Sequence, residues 1–121
     1  MPLDARAFAL KAAALLNDKK AQAVSLLKIG KLSLIADYFL IGSGSSKTQV
    51  RALCDHLREN LTQDQYPLLR IEGYEEAIWI LLDYGALVVH IFQPESRSFY
   101  NLERLWGNGG GNAQECLTTL S

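Results

Sequence analysis

An α/β domain of about five strands flanked by helices is predicted by three features of the sequence. These are two apolar stripes at helical spacing, five short β-favouring runs around them, and Gly or Pro at most junctions. Phe8, Ala12, Leu15 and Leu16 recur at i, i+4, i+7 and i+8, the spacing of one helix face, with Asp4 as N-cap and Asn17-Asp18 as the end. Residues 23–29 are apolar without helical period and read as a strand closed by Gly30. Asp37-Tyr38-Phe39-Leu40-Ile41 reads as a buried strand that turns at Gly42-Ser43-Gly44-Ser45-Ser46. Ser46-Lys47-Thr48-Gln49 fits a capping box: the Ser46 hydroxyl accepts from the third helical amide and Gln49 reaches back to the Ser46 amide. The helix it starts buries Val50, Leu53, Cys54, Leu57 and Leu61 and keeps Arg51, Asp55, Arg58 and Glu59 wet.

Tyr66-Pro67 stops that helix, residues 68–72 form a short strand, and Gly73-Tyr74-Glu75-Glu76 form an acidic turn. Two longer strands, 77–83 and 86–92, flank Tyr84-Gly85 as a tight hairpin loop, which would set 83 opposite 86, 81 opposite 88 and 79 opposite 90. Alternation divides the hairpin into unlike faces. Ile78, Ile80, Leu82, Leu87, Val89 and Ile91 make an aliphatic face that belongs to the core. Trp79, Leu81, Asp83, Ala86, Val88, His90 and Phe92 make a mixed face, the kind of surface a partner or active site requires. A last helix is expected from Pro94-Glu95 to about Trp106, through Phe99 and Leu102.

Composition narrows the function. The chain of 121 residues carries 12 Lys and Arg against 13 Asp and Glu, a balance of −1 that lacks the basic field of a nucleic-acid binder. It is long enough to bury a core without disulfide or metal. Residues 1–108 read as one domain and 109–121 as a flexible Gly-rich tail. The start lacks signal-peptide and transit-peptide character, and no apolar run approaches a membrane span, so a cytoplasmic protein is expected. Cys54 and Cys116, without a spaced pattern, are then free thiols. Residues 70–83 hold Glu72, Glu75, Glu76 and Asp83 against Arg70, a local charge of −3 suited to a basic protein patch, unless it is only a solvated face.

Chemical motifs are incomplete. Gly42-Ser43-Gly44-Ser45-Ser46-Lys47 stands where backbone amides can hold a phosphate, but it matches neither a dinucleotide fingerprint, a Walker loop nor a nucleophile elbow; a turn with a Ser cap explains it. Cys54 and His56 point to different sides of a helix and His90 has no second ligand nearby, so no metal is expected. A triad of Ser45, His90 and Asp83 has no support in spacing. Asp83 has Leu81 rather than an acid two residues earlier, so the paired carboxylates of metal-assisted nucleotide transfer are missing.

Five ordered stretches carry a family resemblance: 36–44 (Ala-Asp-Tyr-Phe-Leu-Ile-Gly-Ser-Gly), Gln49-Val50-Arg51-Ala52, Trp79-Ile80-Leu81-Leu82-Asp83-Tyr84-Gly85, Val88-Val89-His90-Ile91-Phe92, and 97–106. From about residue 4 to Trp106 the chain resembles the ribosomal silencing factors, also called Iojap or RsfS. The resemblance implies a mixed sheet related to nucleotidyltransferases without their catalytic acids. It implies no enzyme activity and no cofactor. It implies binding to the large ribosomal subunit through that subunit's protein number fourteen, blocking the small subunit and lowering translation.

On that footing the partner-binding residues are Trp79 as anchor with Leu81 and Leu82, Glu76 and Asp83 to steer or pair with basic groups, and Tyr84, His90 and Phe92 at the rim, although alternation sends Leu82 inward. Two departures are Lys28, where the family often has an acid, and Ala86, where it often has Asp after the hairpin glycine. The competing classes are a nucleotidyltransferase-like enzyme, using the 42–46 turn for phosphate and Asp83 for magnesium, and a module that pairs with itself through Trp79 as a homodimer.

Overall fold

The computed structural model describes residues 4–29, 37–61 and 66–94, and the backbone of 115–119. Helix α1 (Ala5–Asp18) opens on Asp4, whose carboxylate accepts from the Ala7 amide at 2.7 Å. Strand β1 (Gln22–Lys28) bulges between Gln22 and Ser25, where Ala23 holds a φ of 50°. Strand β2 (Tyr38–Ser43) leads into helix α2 (Lys47–Asn60). The Ser46 hydroxyl accepts from the Gln49 amide at 3.1 Å as predicted. The Gln49 side chain, however, reaches back to Ser45 rather than Ser46, accepting from its amide at 2.6 Å and its hydroxyl at 2.9 Å.

Strands β3 (Arg70–Glu72), β4 (Trp79–Asp83), β5 (Leu87–Phe92) and β6 (Glu115–Thr119) complete a six-stranded sheet in the order β3-β4-β5-β2-β1-β6. It is mixed: β2 and β5 run parallel, with α2 in the crossover, and the other neighbours are antiparallel. Strand β6 comes from the segment expected to be a mobile tail and pairs with β1. The helix expected from Pro94 to Trp106 lies beyond the described residues, apart from Pro94 itself.

Helices α1 and α2 pack on one side of the sheet. Phe8, Ala12 and Leu16 of α1 and Val50, Leu53 and Leu57 of α2 meet Val24, Leu26, Leu40, Ile80, Leu82, Val89 and Ile91, all buried. Each large side chain so enclosed contributes roughly 1.5–3 kcal/mol. Ile78 departs from the expected core face: it is 43% exposed, because Ala77 at a φ of 55° breaks the extended backbone and β4 begins one residue later.

The hairpin is displaced by one position from the predicted loop. Trp79 pairs with Phe92, Leu81 with His90 and Asp83 with Val88, and the Tyr84 amide donates to the Leu87 carbonyl at 2.8 Å. The loop residues are therefore Gly85-Ala86. Gly85 has a φ of 85°, and the Ala86 amide turns back onto the Tyr84 carbonyl at 3.1 Å, a three-residue turn in which a side chain would be strained. Register moved by two, so side-chain parity and both faces survive.

Candidate partner-binding face

The sheet face away from the helices carries a second apolar cluster. Leu27, Ile29, Ile41, Val88 and Phe92 are buried in it, and Phe39, Trp79 and Leu81 are only partly buried against it. Trp79 stacks on its cross-strand partner Phe92 with ring centroids 4.9 Å apart. Its indole Nε1–H donates to Nδ1 of His90, diagonally across the hairpin, at 3.0 Å. Phe39, on β2, meets the other side of this group edge-on to His90 at 4.9 Å. Trp79 is thus fixed on two counts, and its one side-chain hydrogen-bond donor is used within the face.

The residues predicted at this site divide accordingly. Trp79, Leu81 and His90 share the face, with Phe92 beneath the indole. His90 and Phe92 are corrected from rim residues to buried supports, at 4% and 0% exposure. Leu82 is corrected as well: it is fully buried on the helix side, as alternation requires. Tyr84 also moves inward. Because β4's extended path continues through it, it shares the side of Ile80 and Leu82, and its ring lies edge-on to Phe8 at 5.4 Å.

Asp83 turns out to serve the hairpin. Its carboxylate accepts from the Gly85 amide at 2.8 Å, with Arg70 of β3 at 3.9 Å. Arg70 lies closer to Glu72, at 3.2 Å. Glu75 and Glu76 are exposed on the turn that leads into β4. The position where the resemblance leads one to expect an acid, Ala86, acts through its carbonyl, which accepts from the Asp37 and Tyr38 amides at 2.9 and 3.0 Å and ties the hairpin tip to β2.

Phe39 joins this face without a signal in its own sequence neighbourhood. Its alternation with Tyr38 and Leu40 was visible, but that β2 lies beside β5 depends on strand order, which no local pattern encodes. The remaining candidates have local roles. The 42–47 turn is occupied by its own caps, since Ser45 and Ser46 are both engaged by Gln49. Cys54 is a free, buried thiol pushed up to about 12 by burial, and so unreactive. No cluster of three metal-ligating side chains occurs among the described residues.

A family model described as "Ribosomal silencing factor during starvation" matches residues 2–119. The chain belongs to the ribosomal silencing factor family. It is 46% identical over 92 residues to the ribosomal silencing factor RsfS of Halalkalibacterium halodurans, covering 76% of this chain and 79% of that protein. To the RsfS of Bacillus subtilis it is 42% identical over 97 residues, 80% and 82% of the two chains. A crystal structure of a Chromobacterium violaceum protein superposes with a TM-score of 0.84 at 30% identity, over 87% of this chain and 88% of that one. The family is defined by ribosome silencing and translational control rather than by a reaction, so the enzymatic alternative is set aside. No helix among the described residues is long and apolar enough to cross a membrane.

For a silencing factor with this face, His90 supplies a pH signature. Burial lowers its imidazole from 6.5 to about 4. With Nδ1 accepting from Trp79, Nε2 carries the proton, and Nε2 is buried with no partner among the described residues. A second proton must go to Nδ1 and displace the indole. The folded pKa lies below the unfolded one, so this contribution to stability is whole above pH 6.5 and is lost as pH falls toward about 4. The loss is on the order of 3 kcal/mol. His90→Gln keeps an acceptor for Trp79 but does not ionise. Denaturant titrations at pH 7 and pH 4 are expected to show it less acid-sensitive than the unmodified chain by about that amount; equal sensitivity would remove His90 from the acid response.

Proposed function

We propose that the chain binds the large ribosomal subunit through that subunit's protein number fourteen and, seated there, excludes the small subunit by volume, repressing translation in the cytoplasm. The observation that carries this reading is the partly buried Trp79, backed by Phe92 and bonded through its N–H to His90 on the face without described helices. A rigidly held tryptophan beside apolar neighbours is the usual anchor of a protein interface. Leu81 extends the apolar contact, and Glu75 and Glu76 supply charge toward a basic surface.

Exclusion needs no turnover. A globule of 121 residues has a radius of gyration of about 14 Å, enough to keep two surfaces apart when it sits between them. The test is capture of purified ribosomal protein number fourteen by the immobilised chain, with Trp79→Ala alongside. Capture by the unmodified chain and its loss in the variant are expected. Equal capture by both, or by neither, would overturn the assignment. A sedimentation coefficient that rises with concentration of the chain alone would assign the face to a second copy.

A further inference from the structure

Gln49-Val50-Arg51-Ala52 helped carry the family resemblance, yet only its first two residues are explained by capping and core packing. Arg51 reaches from α2 to the acidic turn. Its Nε donates to the Tyr74 carbonyl at 3.1 Å, and a terminal guanidinium nitrogen donates to the next carbonyl, that of Glu75. The guanidinium carbon sits 6.0 Å from the Tyr74 ring centroid. One helical turn on, both Asp55 oxygens lie 3.0 Å from the Tyr74 hydroxyl that donates to them. This hydrogen bond holds the phenol above its usual pKa, so it stays a donor.

The backbone of the turn is constrained from the other side. Gly73 has a φ of 81°, and a Cβ there would stand 2.1 Å from the Trp79 carbonyl oxygen. The Ala77 amide closes back onto the Gly73 carbonyl at 2.9 Å. All of this ordering is applied to main chain and to Tyr74. The Glu75 and Glu76 side chains, exposed, are what the ordered turn presents just ahead of Trp79.

We propose that Arg51 is a positioning residue for partner binding: by pinning the main chain of the 73–77 turn, it holds the Glu75 and Glu76 carboxylates beside Trp79 in the arrangement a basic protein surface meets. This deepens the reading above and rests on it. A turn ordered in advance does not have to be ordered on binding. Only an arginine presents paired N–H groups in a rigid fork to two successive carbonyls; a lysine keeps the charge and loses the fork. The sign of the effect is diagnostic. Deleting a positive charge next to an acidic turn should, by Coulomb attraction alone, strengthen binding to a basic surface, whereas loss of positioning weakens it.

The experiment measures affinity of the full chain for purified large ribosomal subunits, and thermal melting, for the unmodified chain and for Arg51→Gln, Arg51→Lys, Tyr74→Phe, and Glu75→Gln with Glu76→Gln, the last pair with and without Arg51→Gln. Arg51→Gln and Arg51→Lys are each expected to weaken binding about fivefold, and Tyr74→Phe, which loses only the hydroxyl bond to Asp55, about twofold. In the background lacking both carboxylates, Arg51→Gln should change affinity by less than about twofold, since the groups it positions are gone. A merely structural arginine would weaken both backgrounds equally, and that result overturns the proposal. So does unchanged or tighter binding by Arg51→Gln, or no effect of the paired Glu substitutions. If Arg51→Gln fails to fold, Arg51→Lys, made with and without the paired Glu substitutions, decides by the same comparison. Failure of the unmodified chain to bind at all removes the underlying reading as well, whereas normal binding with Trp79 sensitivity but no Arg51 effect removes this inference alone.

Discussion

Trp79→Ala is expected to weaken binding to the large ribosomal subunit at least about thirtyfold, a loss on the order of 2 kcal/mol or more, while the chain remains folded. The indole is set for this by its neighbours. Phe92 stacks beneath it, His90 holds its N–H, and Phe39 closes the cluster behind His90. Because the ring is partly buried, some stability goes with it, but the second apolar cluster retains Leu27, Ile29, Ile41, Val88 and Phe92. Melting curves recorded with the binding data keep the two effects apart. Loss of binding together with loss of the folded transition would make Trp79 a core residue rather than an anchor.

The neighbouring leucines of β4 should separate the two faces of the sheet. Leu82 is fully buried against the helices and Leu81 only partly buried on the opposite face. Leu82→Ala is expected to cost about 2–5 kcal/mol of stability through the cavity it leaves. Its affinity, expressed per folded molecule, should be that of the unmodified chain. Leu81→Ala should do the reverse, weakening binding by about 1 kcal/mol or more with a smaller change in unfolding midpoint. Chemical denaturation and subunit binding on the two variants check both halves. The same loss of stability in each would mean that the two faces are not energetically distinct.

What was legible in the sequence was chiefly what depends on period. Helices α1 and α2, with Asp4 and Ser46 at their starts, follow from apolar spacing and cap chemistry that act within four residues. The split of the hairpin into unlike faces follows from parity, and parity tolerated a register error of two. The Tyr84-Gly85 pair looks like a two-residue loop in the sequence, whereas the glycine occupies the first loop position and Tyr84 closes the ladder. That one-residue shift moved Tyr84 from the rim into the helix-side core. Ile78 failed for another local reason, the positive φ of Ala77, for which alanine gives no signal. Strand order, the placing of Phe39 beside His90, and the bonds from Arg51 to a turn more than twenty residues away are products of tertiary packing. Residue spacing does not carry them.

The most direct test of the whole account is subunit joining. Purified large and small ribosomal subunits are mixed under conditions that favour association, with and without the folded chain, and resolved on a sucrose gradient. The joined-ribosome peak should fall and the free subunits rise as the chain is added, with the chain co-sedimenting on the large subunit and Trp79→Ala leaving the joined peak near its starting height. A joined peak unaltered by an excess of folded chain would contradict the account.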